Sequence, residues 1–485
     1  MRLSATTILL ALVSTHLFGQ EVLSEHSIYE PPFLHENEKV MSTNDVIRGL
    51  NGNVYVPYKV AIDKKSRKTS IRCISPEHEE LWSIDFPNKA LINVEEIVAL
   101  HDASKGIVSF FVWSERAYRN QTGVLKGYQV KLSTGELIKE KVFMEKQQTL
   151  GFEMNVSKGE KFLWLDRPTK IVGLSDDGDY RLVINSDLEV VTDVELEAPD
   201  DYKIRNTKIL DDGKLICIYG GKKNLKLQVF EDNEKLGEID AGSQLANKDY
   251  KDVDYMIAND NSFNLVAEVG TKGNVFTSFD IYNFDFETEK FRRIESIEYS
   301  TEVIAELYAK IPPSTLAGEI KMPKAPKKFK IFSPIDLFID KNGNFYLIYQ
   351  RSYTTGSTET NDLKRFGEEI LVVKFDADGS QQWTTVIPRA YKSKKSRHRT
   401  SGYLNETKGK IEILNTDMGE LPLDTYYRSI DMESGVVSAV QKLPFRNKLV
   451  GSFYTFWNDE YVFFETARYV DKKKVKYKFV TIEFE

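Results

Sequence analysis

The chain has 485 residues, 29% of them charged, with two cysteines and a net charge of −7. Two cysteines allow at most one bridge, which excludes a disulfide-stapled scaffold and demands a large apolar core. Beyond the first twenty residues no apolar run approaches the ~18 needed to span a bilayer, so no membrane span is expected. The charge is uneven: residues 1–320 carry 38 Lys+Arg against 52 Asp+Glu, and residues 321–485 carry 28 against 21. Such a division can steer an anionic partner.

Arg2, the apolar run Ile8–Val13 and Leu17-Phe18-Gly19 have the form of a cleaved secretory signal over residues 1–19, cut at Gly19/Gln20. The mature chain, 20–485, is therefore expected to be soluble and secreted or periplasmic. The 28 Phe and 24 Tyr, with strand formers dominating the apolar set, favour an all-β reading.

The organising unit is a hairpin, and its clearest copy is Phe366–Pro388 (FGEEILVVKFDADGSQQWTTVIP). An apolar strand Ile370–Phe375 meets a turn at Asp376–Ser380 and returns through Trp383 to Ile387. Gly accepts a positive φ freely, and Asp bonds its own backbone. Weaker copies begin at Ser70–Phe86, Gly127–Phe143, Tyr180–Leu196, Leu225–Ile239, Ser278–Ile294 and Tyr427–Leu443, with a half-copy at Tyr477–Glu485. Each follows a second hairpin turned by Gly or Asn. These are Val46–Ile62, Ile97–Ser114, Phe152–Leu165, Ile204–Tyr219, Tyr255–Val269, Ile335–Arg351, Gly402–Leu414 and Phe453–Phe464.

Four antiparallel strands repeated at intervals mostly between 45 and 57 residues predict a β-propeller, a single all-β domain. Eight blades are expected, with seven as the alternative. The eighth copy lacks its last strand, and Ser27–Leu34 is the expected donor that closes the ring. One step spans 92 residues. Within it Val303, Ile304, Leu307, Tyr308 and Ile311 share one helical face, and Pro312-Pro313 ends the pattern. A helix near 300–311 inserted between blades is predicted, followed by a Lys/Pro-rich linker to 330; a degenerate ninth unit is the rival reading.

The turn and tryptophan of DADGSQQW resemble the repeats of quinoprotein-like and other exported bacterial β-propellers. In quinoprotein dehydrogenases that Trp recurs in nearly every blade, whereas here Trp82 and Trp383 alone hold its place. No cofactor is therefore expected.

Candidate chemistry is sparse. Asp376-Ala-Asp378-Gly379 begins like a calcium loop, but the twelfth position is Ile387 and strands flank it, so it reads as a turn. It also resembles a sialidase Asp-box, but the Ser/Thr two residues earlier and the spacer before Gly are missing. The mature histidines, His26, His35, His78, His101 and His398, show no metal-ligand spacing, and no metal is expected. Cys73 and Cys217 fall three blades apart and should be unpaired, buried thiols. Asp254 and Asp336 fall on innermost strands, where they could line a channel.

Loop lengths are more informative. In a propeller the turns between strands one and two, and between three and four, lie on one face, and here they are short. Every long connection falls on the other face: Asp63–Lys68, Glu115–Lys126, Ser300–Lys330, Ser352–Arg365, Arg389–Arg399 and Tyr469–Lys474. Binding residues concentrate on loops carried by a rigid scaffold. The candidate ligand-binding residues are Lys64, Lys65, Arg67, Tyr353, Arg389, Tyr391, Lys392, Lys394, Lys395, Arg397, Arg399, Lys472 and Lys473. An anionic polysaccharide or an acidic protein would suit them; nucleic acid would not suit an exported chain. Two functions remain open: a monomeric, non-enzymatic binding propeller, or a glycan-active or quinoprotein-like enzyme with its site at the channel mouth.

Overall fold

The structure is a computed structural model. It describes residues 25–29, 39–43, 47–61, 67–77, 79–88, 92–116, 122–147, 153–157, 160–167, 179–196, 202–220, 225–240, 249–259, 262–271, 275–285, 288, 290–316, 324–329, 332–355, 364–389, 391–393, 400–416, 425–442, 454–456, 461–471 and 474–483. The expected signal segment, residues 1–19, lies outside the described residues.

The described strands form antiparallel sheets built on four-stranded paths, in chain order in all but the last, and two of them carry an extra short strand. Sheet I holds Lys39–Thr43, Val54–Ala61, Arg67–Ile74 and Glu80–Asn88, with Ile47–Arg48 also paired to the second strand. Sheet II holds Ile92–Asp102, Ile107–Arg116, Thr122–Lys131 and Leu137–Gln147. Sheet III holds Glu153–Val156, Phe162–Arg167, Asp179–Asn185 and Val190–Leu196. Sheet IV holds Lys203–Ile209, Leu215–Gly220, Leu225–Glu231 and Glu234–Asp240.

Sheet V holds Asp249–Asn259, Ser262–Thr271, Val275–Asp285 and Lys290–Glu298. Sheet VI holds Ser333–Ile339, Phe345–Thr355, Lys364–Phe375 and Gln381–Ile387, with Tyr391–Ser393 also paired to the third strand. Sheet VII holds Thr400–Asn405, Lys410–Thr416, Thr425–Asp431 and Gln441–Lys442. Sheet VIII holds Tyr454–Phe456, Tyr461–Asp471, Lys474–Glu483 and, from the other end of the chain, Glu25–Tyr29. With one α-helix among the described residues, the arrangement is consistent with a β-propeller.

Middle strands are apolar on both faces, as in Leu215–Gly220, where every residue is buried. A sheet of that kind must be covered on each side. Consecutive sheets supply the cover. Tyr55, Ile71 and Cys73 of sheet I pack with Val108, Phe110 and Tyr128 of sheet II. Phe111 and Leu125 of sheet II pack with Leu163 and Ile184 of sheet III, and Trp164 of sheet III with Cys217 and Tyr219 of sheet IV. Ile348 and Val372 of sheet VI pack with Ile411 and Ile413 of sheet VII.

The two tryptophans act alike between sheets. Trp82 of sheet I donates Nε1–H to the Leu132 carbonyl of sheet II at 2.7 Å, over Gly135. Trp383 of sheet VI donates to the Met432 carbonyl of sheet VII at 3.2 Å, over Gly435. Both glycines have positive φ, +70° and +72°, and a Cβ on Gly435 would lie 2.7 Å from the Trp383 ring. The turn before Trp383 is built as the sequence requires. Asp376 Oδ1 accepts from the Asp378 and Ser380 amides, and Gly379 takes φ +91°.

Helix α1, Thr301–Ala309, is capped by Ser300, whose hydroxyl accepts from the Val303 amide. It fills the gap between sheets V and VI, burying Ile304, Leu307, Tyr308 and Ile311 against Phe276, Tyr349 and Leu371; Val303 stays exposed. Tyr308 donates its hydroxyl proton to Glu369 at 2.7 Å, and Glu369 also accepts from Arg351. The following segment is more than a spacer, because Phe329 and Phe332 enter the same core. Two details depart from expectation. The inner strand of sheet I comes in two pieces, Lys39–Thr43 and Ile47–Arg48, where one segment from Val46 was expected. Several connections are also shorter than read, since Arg67, Tyr353, Tyr391 and Lys474 belong to strands. No helix among the described residues is long and apolar enough to cross a membrane.

Cys73 and Cys217 form no disulfide and both are buried, and burial pushes the Cys73 thiol up to about 12. Both should resist alkylation at neutral pH in the native chain and react together once urea unfolds it, a mass shift of two labels. A second measurement compares two glycines of sheet VII. Gly435→Ala meets both a left-handed backbone and Trp383, whereas Gly409→Ala, at φ +64° in open space, meets only the backbone. Urea unfolding should place Gly409→Ala about 1 kcal/mol below the parent and Gly435→Ala about 2–4 kcal/mol below it.

Candidate functional site

The meander order puts two kinds of connection at opposite ends of every sheet. First-to-second and third-to-fourth turns share one end; second-to-third and sheet-to-sheet connections share the other. A polar cluster drawn from several sheets forms at the short-turn end, around the inner strands.

Arg48 is the centre of it. The short piece Ile47–Arg48 pairs with Val54–Tyr55 just before the Leu50–Gly52 turn, which sets Arg48 on the inner edge of sheet I. Its guanidinium lies 4.7 Å from the centroid of Tyr403 on the inner strand of sheet VII. Burial pulls the guanidinium below its ordinary value, and Tyr403, Asp336 of sheet VI and Glu160 of sheet III oppose that shift. One side chain thus feels residues from three other sheets.

Glu160 sits in the first turn of sheet III at φ +54°, a left-handed conformation unusual for a non-glycine residue. Its amide bonds the Ser157 carbonyl, and its own carbonyl accepts from the His101 amide of sheet II. Its Oε2 lies 2.5 Å from His101 Nδ1. The His101 ring stacks on Tyr55 at 5.7 Å. Both residues are buried, and His101 Nε2 and the Tyr55 hydroxyl have no hydrogen-bond partner among the described residues. Burial raises the Tyr55 phenol far above its ordinary value, with Cys73 and Glu160 adding to the shift. Asp336, expected on an inner strand, accepts the Gly402 amide at 2.7 Å, where a Cβ would strike Ile348. It ties sheet VI to sheet VII. Asp254 lies on the inner strand Asp249–Asn259 of sheet V.

Chemically the cluster offers a cation on an aromatic face, a carboxylate–imidazole pair and two orphaned polar atoms. No group of three or more His, Cys, Asp or Glu among the described residues is placed to hold a metal ion. Sequence patterning did not point here. His101 was noticed only for lacking metal-ligand spacing, and the signal that could have led to Glu160 is a charged residue directly after Lys158-Gly159.

The long-connection end is where the sequence reading expects the basic residues. Lys64 and Lys65 connect the second and third strands of sheet I, Lys394, Lys395, Arg397 and Arg399 precede sheet VII, and Lys472 and Lys473 connect two strands of sheet VIII; all lie outside the described residues. Arg67, Tyr353, Tyr391 and Lys392 lie on strands near that end. Arg389 is a correction. Expected in an exposed loop, it is only 6% exposed and donates from Nη1 to Thr400 Oγ1 at 2.6 Å. The short strand Tyr391–Ser393 folds back onto Arg365–Gly367 and carries Arg389 inward.

The His101–Glu160 contact yields a measurable coupling. Glu160→Ala should lower stability by about 1–3 kcal/mol, because it leaves a buried imidazole unsatisfied. His101→Ala in that background should cost at least about 1 kcal/mol less than it costs alone, read from a double-mutant cycle in urea.

No family model and no curated protein matches this chain. Solved structures with similar traces include a protein from Lactobacillus plantarum, 12% identical, TM-score 0.40, covering 84% of this chain and 97% of its own. The β-propeller domain of the Trilobed protease from Pyrococcus furiosus is 10% identical, TM-score 0.38, with 84% and 96% covered. The WD40 domain of SCAP from fission yeast is 9% identical, TM-score 0.42, with 95% and 98% covered. These TM-scores are low, and the architecture rests on the strand pairings described above.

Proposed function

We propose that this chain is an eight-bladed, exported β-propeller that acts as a monomeric, non-enzymatic binder of a polyanion, an anionic glycan or an acidic protein surface. The ring reading draws on the pairing of Glu25–Tyr29 with Lys474–Glu483 and on Arg48, which senses sheets III, VI and VII at once. In such a ring sheets VI, VII, VIII and I are neighbours.

The observation that carries the binding reading is the concentration of cations on the connections at one end of those sheets. By chain order Lys64, Lys65, Lys394, Lys395, Arg397, Arg399, Lys472 and Lys473 all fall on such connections, six of them in residues 321–485, where basic residues outnumber acidic ones. Clustered cations on connections of a rigid scaffold favour a multivalent anionic ligand, with an on-rate that falls as salt rises. Arg389, tied to Thr400, has no part in it.

A second reading, an enzyme at the mouth of the channel, is favoured by the orphaned His101 Nε2 and Tyr55 hydroxyl beside Arg48. That cluster lies at the short-turn end, opposite the long connections.

The two readings separate by mutation. Replacing Lys394, Lys395, Arg397 and Arg399 together by Glu should weaken retention on dextran sulfate at least tenfold at about 0.15 M salt, where screening acts over ~8 Å. Unchanged retention would remove the binding reading; retention lost instead with Arg48→Met would move the ligand to the channel.

A further inference from the structure

Every sheet has an outer strand whose far side is an open edge, and exposed edges invite pairing unless charge or proline blocks them. Seven outer strands follow that rule. Glu80–Asn88, Leu137–Gln147, Val190–Leu196, Glu234–Asp240, Lys290–Glu298, Gln441–Lys442 and Glu25–Tyr29 each contain at least one charged residue. The outer strand of sheet VI, Gln381–Ile387 (QQWTTVI), contains none. Among the described residues no strand pairs with its outer side.

The same strand forms the floor of a groove of about 680 Å³. One wall comes from Glu295–Tyr299 of sheet V and from α1, the other from Ser434–Val437 of sheet VII. Side chains of the strand are committed to those walls. Thr384 meets the Tyr299 hydroxyl at 3.4 Å and Val386 joins the core shared with α1, while Trp383 and Thr385 bond the Met432 and Gly435 carbonyls. With both faces held, the remaining direction is the backbone edge: Gln381 already gives its N–H to Glu295 Oε2 at 2.7 Å, and beyond it every second residue of an antiparallel strand turns its N–H and C=O away from its partner.

The rim has a definite chemistry. Val436 is 60% exposed and Val303 37%, an apolar pair on opposite walls. Glu298 and Glu306 are exposed and make no ion pair among the described residues, against the single cation Lys310. An edge free of charge, walls offering apolar contact and a net acidic rim fit one kind of occupant.

We propose that the groove over Gln381–Ile387 takes an extended peptide segment of a partner protein, basic and apolar in alternation, which adds to sheet VI as a further strand. Main-chain hydrogen bonds supply the attachment, and alternate side chains meet Val303 and Val436 or the glutamates.

The test uses the full chain and a fluorescein-labelled peptide of alternating lysine and valine, about seven residues long to match one strand. Its anisotropy should rise saturably, and Glu298→Lys combined with Glu306→Lys should weaken it at least tenfold. Both positions are exposed, so the variant should keep the parent's unfolding curve. Two further probes carry N-methyl groups on alternate backbone nitrogens, one at the lysines and one at the valines. Strand addition uses one set of amides and leaves the other in solvent, so one probe should lose at least tenfold and the other should bind as the parent does. Equal behaviour of the two methylated probes, indifference to the glutamate reversal, equal binding of a glutamate–valine peptide, or no saturable binding would each overturn the proposal. A stable dimer of the chain that excludes the peptide would overturn it too.

Discussion

The structure depends on one constraint: its sheets are apolar on both faces, and none can be left uncovered. A large buried apolar side chain contributes about 1.5–3 kcal/mol only when something excludes water from it. Leu163, Ile216, Leu265 and Ile348 lie on second strands and are fully buried because a neighbouring sheet lies against each face. Between sheets V and VI, α1 with Phe329 and Phe332 adds to the direct contact of Phe279 with Tyr349. The insertion is therefore part of the core, and its Tyr308–Glu369–Arg351 network supplies a polar seam within it.

The coupling between sheets is directional. The outer part of one sheet meets the last turn of the next: Trp82 on Gly135, Ile294 on Gly379, Trp383 on Gly435. Elsewhere different atoms do the same work. Lys139 and Lys141 donate to the Asp187 and Leu188 carbonyls, and Asn233 accepts from the Asp193 amide. A left-handed residue in the turn brings its backbone close to the preceding sheet; where that residue is Leu188, Gly127 makes the room instead.

Much of the fold was legible because local chemistry and tertiary role agree. The Asp376 turn, the Gly343 turn and the amphipathic face of α1 each follow from rules that operate over a few residues. The tryptophan positions were readable for the same reason, since a Trp after a tight turn needs a partner for its N–H. Arg389 could not be read, because its burial depends on Tyr391–Ser393 returning to the third strand of sheet VI. The Arg48 cluster was equally hidden. It draws Arg48, His101, Glu160, Asp336 and Tyr403 from five sheets, and only their meeting in space gives any of them meaning.

The pairing of Glu25–Tyr29 with Lys474–Glu483 has a consequence for how the chain reaches this state. Sheet VIII joins the earliest described strand to the latest, so it cannot be completed progressively as the polypeptide is made. Local hairpins can form early, but this contact has the greatest sequence separation among the described strand pairings and carries the largest loop-closure entropy of them. Until it forms, the outer edge of Lys474–Glu483 lacks its partner. Folding of the remaining sheets is then expected to run ahead of a slow, final step of end-to-end docking, during which the chain depends on staying unaggregated.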